Sequence, residues 1–393
     1  MPFFSADYII PVSSPPIQDG VVHTDDNGTI IHVAPAHNFP SADIKKFNGI
    51  ILPGFINSHC HLELSHMKGL CNSGTGLINF VGNVVKLRDF DEAVILDAIE
   101  QKDREMYNNG IQAVGDICNK TDTFSVKEKS PIHYYSFVEL FDMMQPALTD
   151  ATIAQYSAVY AGQSDRGSNK KSFVPHAPYS VSKGLFEFIN KANTVSQCIS
   201  IHNQETPDEN QLFEDGTGGF KSFFEGLGLS LDHFEPIGRG SIHHILAHLE
   251  PRKKNIFVHN TLTSEHDILE AHKWSGSCYW ASCPNANLYI ENRLPDYRVF
   301  QASSAKVCLG TDSIMSNWQL SIWEEVKTIR KYNSWIPVET LIQWSTINGA
   351  EALDYDDLLG SIQPGKTPGL INIDLDWQGA DTVLADSKPV RII

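Results

Sequence analysis

His59-Cys60-His61 is the strongest chemical signal in the chain. On an extended backbone, residues two apart point to the same face. The two imidazoles therefore form a chelating pair, and Cys60 turns the other way into the protein wall. Further residues able to hold a metal or a proton end later apolar segments: His176 in S-F-V-P-H, His202 in C-I-S-I-H, His259 in I-F-V-H and Asp312 in V-C-L-G-T-D. Any one of these histidines alone reads as structural. An H-x-H pair followed in order by more strand-end histidines and a strand-end aspartate does not. Nitrogen donors with one carboxylate oxygen and no thiolate suit Zn²⁺ or another first-row divalent ion.

The segment His202-Asn203-Gln204-Glu205-Thr206-Pro207-Asp208-Glu209 adds a proton carrier. Thr206 reads as a helix N-cap, Pro207 as the first helical residue and Glu209 as the partner in a capping box. Glu205 is then left in the loop, three residues past His202. A carboxylate there can take a proton from a metal-activated water and give it to a substrate. The competing reading, a carboxylate favoured by the helix dipole, fits Glu209 better.

Residues so far apart in sequence meet only if the fold gathers strand ends. Eight strand candidates run through the middle of the chain: 51–59, 111–117, 132–139, 172–176, 198–202, 256–259, 278–282 and 307–312. Between them lie segments of helical spacing, such as Leu185-Phe186-x-x-Ile189 and Leu320-x-x-Trp323-x-x-Val326. Alternating strands and helices predict a parallel sheet. Eight units in about 300 residues favour a (β/α)8 barrel over an open doubly wound sheet, and a barrel brings strand carboxyl ends to one mouth. The chain ends differ from the middle. Asn27-Gly28 between V-V-H-T-D-D and T-I-I-H-V predicts a hairpin, and I-N-I-D-L at 371–375 alternates behind the turn P-G-K-T-P-G. We expect 1–50 and 355–393 to form a small composite β domain and 51–354 the barrel.

Composition narrows the function further. With 30 basic and 47 acidic residues, the net charge of −17 argues against nucleic acid or an anionic membrane as a partner. No apolar run is long enough to span a bilayer, and Met1–Pro11 lacks the basic start of a secretory signal. Seven scattered cysteines suit free thiols in a reducing cytoplasm. A small-molecule substrate is the expected partner, with a homodimer as the candidate assembly.

At this level of detail the sequence resembles the amidohydrolase superfamily, in its branch of metal-dependent deaminases and chlorohydrolases. The likeness is carried by P-G-F-I-N-S-H-C-H-L-E at 53–63, V-P-H-A-P-Y-S-V-S at 174–182 and H-N-Q-E-T at 202–206. It continues through V-H-N-T at 258–261, C-P-N-A-N-L at 283–288 and L-G-T-D-S-I-M-S-N at 309–317, then N-G-A-E-A-L at 348–353 and L-G-S-I-Q-P-G-K at 359–366. The resemblance implies a TIM-like barrel with a small β-sandwich domain built from both chain ends. It implies one catalytic metal, zinc or alternatively iron, held by His59, His61, His202 and Asp312. His259 would stand beside the activated water, Glu205 would shuttle the proton and His176 would line the substrate pocket.

Two departures matter. The usual C-P-x-S-N reads C-P-N-A-N, so Ala286 removes a hydroxyl contact from that loop. The carboxylated lysine of binuclear members has no counterpart, since Lys170 and Lys171 precede the predicted fourth strand, and a single metal follows. The insertions 62–95 and 212–249 should roof the pocket, as a lid with an apolar face or as ordinary packing for Phe213, Phe220, Phe223 and Phe224. Glu63 and Glu139 stand near the mouth as substrate contacts or structural carboxylates. His66, His243, His244, His248, His266 and His272 read as surface or packing residues.

The expected activity is hydrolytic deamination of an amino-substituted ring, a cyclic amidine. The second insertion resembles that of members acting on 5′-modified adenosines. A guanine or cytosine-type deaminase, a chlorohydrolase-like enzyme and a non-catalytic barrel used as a binding module are the alternatives.

Overall fold

The computed structural model describes residues 1–39 and 43–393. Eight parallel strands form the barrel: Phe55–Cys60, Ile111–Cys118, His133–Leu140, Lys170–Pro175, Ile199–Asn203, Asn255–His259, Cys278–Ser282 and Lys306–Leu309. The first four pair in order as one parallel sheet and the last four as another. Closure occurs at the strand ends that carry the chemistry. On one seam the His202 amide donates to the His176 carbonyl at 3.0 Å, and on the other the Asp312 amide donates to the His59 carbonyl at 3.0 Å. Asn57 locks the second seam, donating to Thr311 Oγ1 and accepting from the Thr311 amide. A side chain at Gly310 would lie 2.8 Å from the His59 carbonyl oxygen, so only glycine lets the eighth strand approach the first this closely.

The surrounding helices bury one face each. Lys183–Ala192 starts with the Ser182 hydroxyl accepting from the Leu185 amide and buries Leu185, Phe186 and Ile189. Ile322–Tyr332 buries Ile322, Trp323, Val326 and Ile329. Leu320 stands just ahead of that helix instead of opening it.

Both chain ends build two small mixed sheets. One has the order Ile30–Pro35, Gly20–Thr24, Phe3–Ser5, Ile44–Lys46. The other has the order Pro389–Arg391, Leu370–Ile373, Ile50–Pro53, Tyr8–Ile9, Ile17–Gln18. Phe4, Ile9, Val22, Ile30, Ile51 and Leu370 share their core. Together with the barrel this is the expected α/β architecture. The Asn27-Gly28 hairpin forms as expected, with Gly28 at φ +83° and Asp25 Oδ1 accepting from the Asn27 and Thr29 amides.

Three strand assignments need correction, one of them the eighth, which ends at Leu309 and leaves Asp312 three residues past it. The first predicted strand is two strands broken at Gly54, whose amide donates to the Pro368 carbonyl. Ile50–Pro53 pairs with the chain ends and only Phe55–Cys60 enters the barrel. The fourth strand also begins earlier than expected, so Lys170 and Lys171 lie within it, at its amino end. Lys170 Nζ pairs with Asp354, away from the mouth, so the expectation of no lysine at the mouth is unaffected. No helix among the described residues is long and apolar enough to cross a membrane.

Candidate active site

The carboxyl ends of the first, fifth, sixth and eighth strands, and the residues just past them, bring His59, His61, His202, His259 and Asp312 into one cluster, buried except for a partly exposed His61. His59 Nε2 and His61 Nε2 are 3.2 Å apart. Asp312 Oδ1 lies 3.6 Å from His59 Nε2 and 3.3 Å from His61 Nε2. His61 lies just past the first strand, yet its ring centroid remains 4.9 Å from that of His59. The imidazole of His202 sits 4.9 Å from His59 and 5.5 Å from His61, centroid to centroid.

Three of these side chains, His202, His259 and Asp312, are held by the atom that is turned away from the cluster. His202 Nδ1 donates to the His176 carbonyl at 2.7 Å, which leaves Nε2 for the cluster. His259 Nδ1 donates to Asn287 Oδ1 at 2.8 Å, and Asn287 returns a bond to the His259 carbonyl. Its Nε2, 3.6 Å from Glu205 Oε1, is therefore an acceptor. Ser316 Oγ donates to Asp312 Oδ2 at 2.6 Å. Gln204, His259 and Asp312 all have left-handed backbone, at φ +47°, +72° and +56°. Such strain at non-glycine residues is held in place by surrounding structure and gathers at functional sites.

Charge explains what the cluster needs. Burial lowers the His59, His202 and His259 imidazoles, and takes His61 to about 4 and His176 to about 3. Burial also opposes ionisation of Asp312, but its hydrogen bond to His59 and the neighbouring imidazoles hold it well below the usual carboxylate range. Neutral ring nitrogens and a carboxylate oxygen thus face one another at 3.2–3.6 Å. A cation between them relieves the repulsion. Tetrahedral zinc bonds of about 2.0–2.1 Å give ligand separations of about 3.3–3.4 Å, so the donor set fits such an ion. A second ion among Glu139, His176 and His202 would have to break the His202–His176 hydrogen bond.

Glu205 is buried in the loop after the fifth strand, and burial, then the Asp312 charge, raises its carboxyl well above the ordinary range. The helix behind it, Pro207–Asp215, starts where expected, but the capping box does not form. Thr206 makes no side-chain cap bond. Glu209 instead reaches back past it, accepting from the Gln204 amide at 2.8 Å and the Glu205 amide at 3.1 Å, and from Ser241 Oγ at 2.5 Å. Glu209 is thus a tether for the Glu205 loop.

Above the cluster lies a cavity of about 140 Å³. Leu77, Phe80, Val81 and Val84, from the helix Leu77–Leu87, form one apolar wall. Phe223 and Phe224, from Gly219–Gly226, form another, whereas Phe213 and Phe220 pack in the adjoining core. His176 lines the cavity, with Nδ1 bonded to Ser180 Oγ. Glu63 and Glu139 lie on the same wall as Arg88 and Asn119. Burial raises Glu139 to about 8, against a hydrogen bond from Asn119. Ala286 is not on the wall; it is buried with Val258, Ala281 and Cys308. His66 bonds the Arg88 carbonyl, while His243 pairs with Asp267 and His248 bonds the His244 carbonyl, all in packing roles.

The motif residues thus meet at one mouth of strands closed into a barrel. The sequence profile of the amidohydrolase family matches residues 50–392. The chain belongs to the amidohydrolase family. This amidohydrolase is 24% identical over 334 residues to an adenosine deaminase of Helicobacter pylori, covering 82% of this chain and 78% of that one. It is 25% identical to a 5-methylthioadenosine/S-adenosylhomocysteine deaminase of Saccharophagus degradans, covering 88% and 77%. Among solved structures, the H. pylori aminofutalosine deaminase in complex with methylthio-coformycin superposes with a TM-score of 0.82 at 21% identity, over 100% of both chains. An adenosine deaminase from Xanthomonas campestris with bound zinc gives 0.75 at 21% identity, covering 98% and 87%.

Sequence reasoning missed the groups that aim the cluster. Asn287 and Ser316 lie inside the quoted motifs C-P-N-A-N-L and L-G-T-D-S-I-M-S-N, which gave their place but not their partners. The Arg88–Glu63 pair, 25 residues apart at 3.1 Å, has no local pattern at all.

Proposed function

We propose that the chain is a metal-dependent hydrolytic deaminase that releases ammonia from a 5′-modified adenosine. The observation that carries this reading is the placement of a buried Glu205 beside the His59–His61–His202–Asp312 cluster, at the floor of an apolar cavity. We assign those four residues as ligands of one divalent ion, zinc by its donor set, and residues 55–354 as the catalytic barrel, with the expected 51–53 going to the chain-end sheet. Such an ion, when bound, would supply Lewis acidity and lower the pKa of a water towards ~7.

The chain's own residues do the rest. Glu205, protonated, donates to the ring nitrogen beside the amino-bearing carbon and makes that carbon electrophilic. His259 Nε2 and Asp312 Oδ1 orient the attacking water, and His259, fixed in the right tautomer by Asn287, accepts its proton. The tetrahedral carbon then collapses: His259 passes the proton it took from water to the amine, which leaves as ammonia, and the Glu205 carboxylate recovers a proton from the new hydroxyl as it becomes the ring carbonyl. His176 and the phenylalanine wall cover the sugar and its 5′ group. The likeness to deaminases of adenosine and of 5-methylthioadenosine supports this substrate class.

The test follows loss of the adenine absorbance band together with ammonia release for adenosine, 5′-modified adenosines, guanine and cytosine. We expect turnover of adenosine derivatives. Turnover of guanine or cytosine with none of any adenosine would overturn the nucleoside assignment and leave the deaminase mechanism standing.

A further inference from the structure

Among the described residues lining the cavity, Arg88 is the only lysine or arginine. It follows the roof helix Leu77–Leu87, and its carbonyl is bonded by His66 Nε2 at 3.0 Å. Its guanidinium donates to Glu63 Oε1 at 3.1 Å. Glu63 cannot swing away to release it. It is 3% exposed, and its other oxygen, Oε2, accepts from the Asn119 amide at 2.8 Å and the Lys120 amide at 3.1 Å. The other carboxyl side chains on the wall are Glu139, Glu205 and Asp312. Apart from the ion assigned to the floor, an anion entering this space meets no cation that lacks a carboxylate partner, while the surfaces of Phe80, Val81, Val84, Phe223 and Phe224 favour an alkyl or thioalkyl group.

We propose that Glu63 is a specificity-determining residue: by engaging Arg88 it restricts the site to adenosines whose 5′ substituent carries no negative charge. The inference rests on the nucleoside reading above and deepens it. It separates two kinds of substrate that the fold alone leaves together, a thioalkyl nucleoside and one ending in a carboxylate. The same geometry shows how the preference is reversed. Removing the Glu63 charge leaves Arg88 on the wall, free to form a charge-assisted bond with a substrate carboxylate.

The test uses two probes that differ only at the tip of the 5′ group, 5′-butylthioadenosine and 5′-(3-carboxypropylthio)adenosine, with the metal-loaded enzyme. The ratio of kcat/KM for carboxylate over alkyl is read within each protein, so that any general loss from a substitution cancels. For the unaltered enzyme we expect a ratio of about 0.1 or less, the scale of one unmatched charge–hydrogen-bond interaction. Glu63→Gln should raise the ratio by about tenfold or more. The double variant Glu63→Gln with Arg88→Met should return it to the low value, which identifies the freed guanidinium as the cause. An unaltered enzyme that uses the carboxylate probe as well as the alkyl one overturns the proposal, whatever the variants do. So does a Glu63→Gln ratio that does not move. Both outcomes leave adenosine turnover intact and the nucleoside reading standing. Failure of both probes and of adenosine, with guanine or cytosine deaminated, removes the nucleoside reading and this proposal with it.

Discussion

Glu209→Gln isolates the tether behind the proton carrier. The Glu209 carboxylate is fully buried and serves three donors with two oxygens: Oε1 takes Gln204 N and Ser241 Oγ, and Oε2 takes Glu205 N. Glutamine keeps one oxygen and places an NH₂ where the other was. Ser241 can rotate its hydroxyl and accept instead, but a backbone N–H cannot. In either orientation of the amide, one N–H of the Gln204–Glu205 loop loses its partner. A buried donor left unpaired costs about 1–3 kcal/mol. Gln204 is already in left-handed backbone at φ +47°, so the loop has a less strained arrangement to relax into. If the loss falls on the catalytic placement of Glu205, kcat drops by roughly 5- to 150-fold. The ligand shell does not include Glu209, so metal content should stay at its original level. Steady-state kinetics, elemental analysis and a thermal melt on the same preparation decide the matter. A variant that melts a few degrees lower with unchanged kcat would show Glu209 to be only a helix-start brace. Loss of kcat in proportion to loss of metal would equally refute the reasoning.

The other expectations concern the metal, the shuttle and pH. Glu205→Gln should lower kcat by ~10²–10⁴ with metal retained, and near-normal turnover would remove the shuttle assignment. Elemental analysis of protein expressed with zinc should give close to one ion per chain, and Asp312→Ala should lower that content. Two ions, both needed for turnover, would refute the single-metal site. Chelation should lower the melting temperature and added zinc should restore it, because an ion that binds only the folded chain stabilises it. Glu325 is buried, accepts bonds from Asn285 and Asn317, and is raised by burial from 4.5 to about 8. Its folded pKa lies above its unfolded one, so its contribution to stability is complete below the unfolded value and is lost as pH rises through about 8. Between pH 6 and 9 the melting temperature of Glu325→Gln should therefore fall less than that of the unaltered protein. Parallel curves would show that Glu325 does not titrate in this window.

The barrel could be read from the sequence because its strands are short, apolar and regularly separated, and because the chemistry stands at their ends. His59 and His61 announce themselves by a spacing that an extended chain turns into proximity. Glu205 could be read because Thr206-Pro207 marks where the helix begins. What could not be read depends on contacts between distant segments. The break at Gly54 is set by Pro368, more than 300 residues away, so a single apolar run looked like a single strand. Glu209 has the spacing of a capping-box partner for Thr206, but the left-handed turn at Gln204 brings two other amides within its reach. Asn287 could be seen in its motif, whereas its duty to His259 appears only once the sixth and seventh strands lie side by side.

The composite β domain also sets an order of events during synthesis. Ile50–Pro53 is an interior strand of its sheet, with Tyr8–Ile9 on one side and Leu370–Ile373 on the other. The second neighbour leaves the ribosome more than 300 residues after the first pair is complete, about 15–60 s later at ~5–20 residues per second. Throughout that interval the growing chain carries an open, apolar strand edge, the kind of surface that recruits other chains. Arg391 then closes the arrangement, stacking on Tyr107 and donating to the Tyr107 and Ile111 carbonyls. The segment that holds Tyr8–Ile9 and Ile50–Pro53 is made long before Leu370–Ile373 and waits for it to complete the sheet. Its exposure to aggregation is governed by how fast the remaining chain is translated.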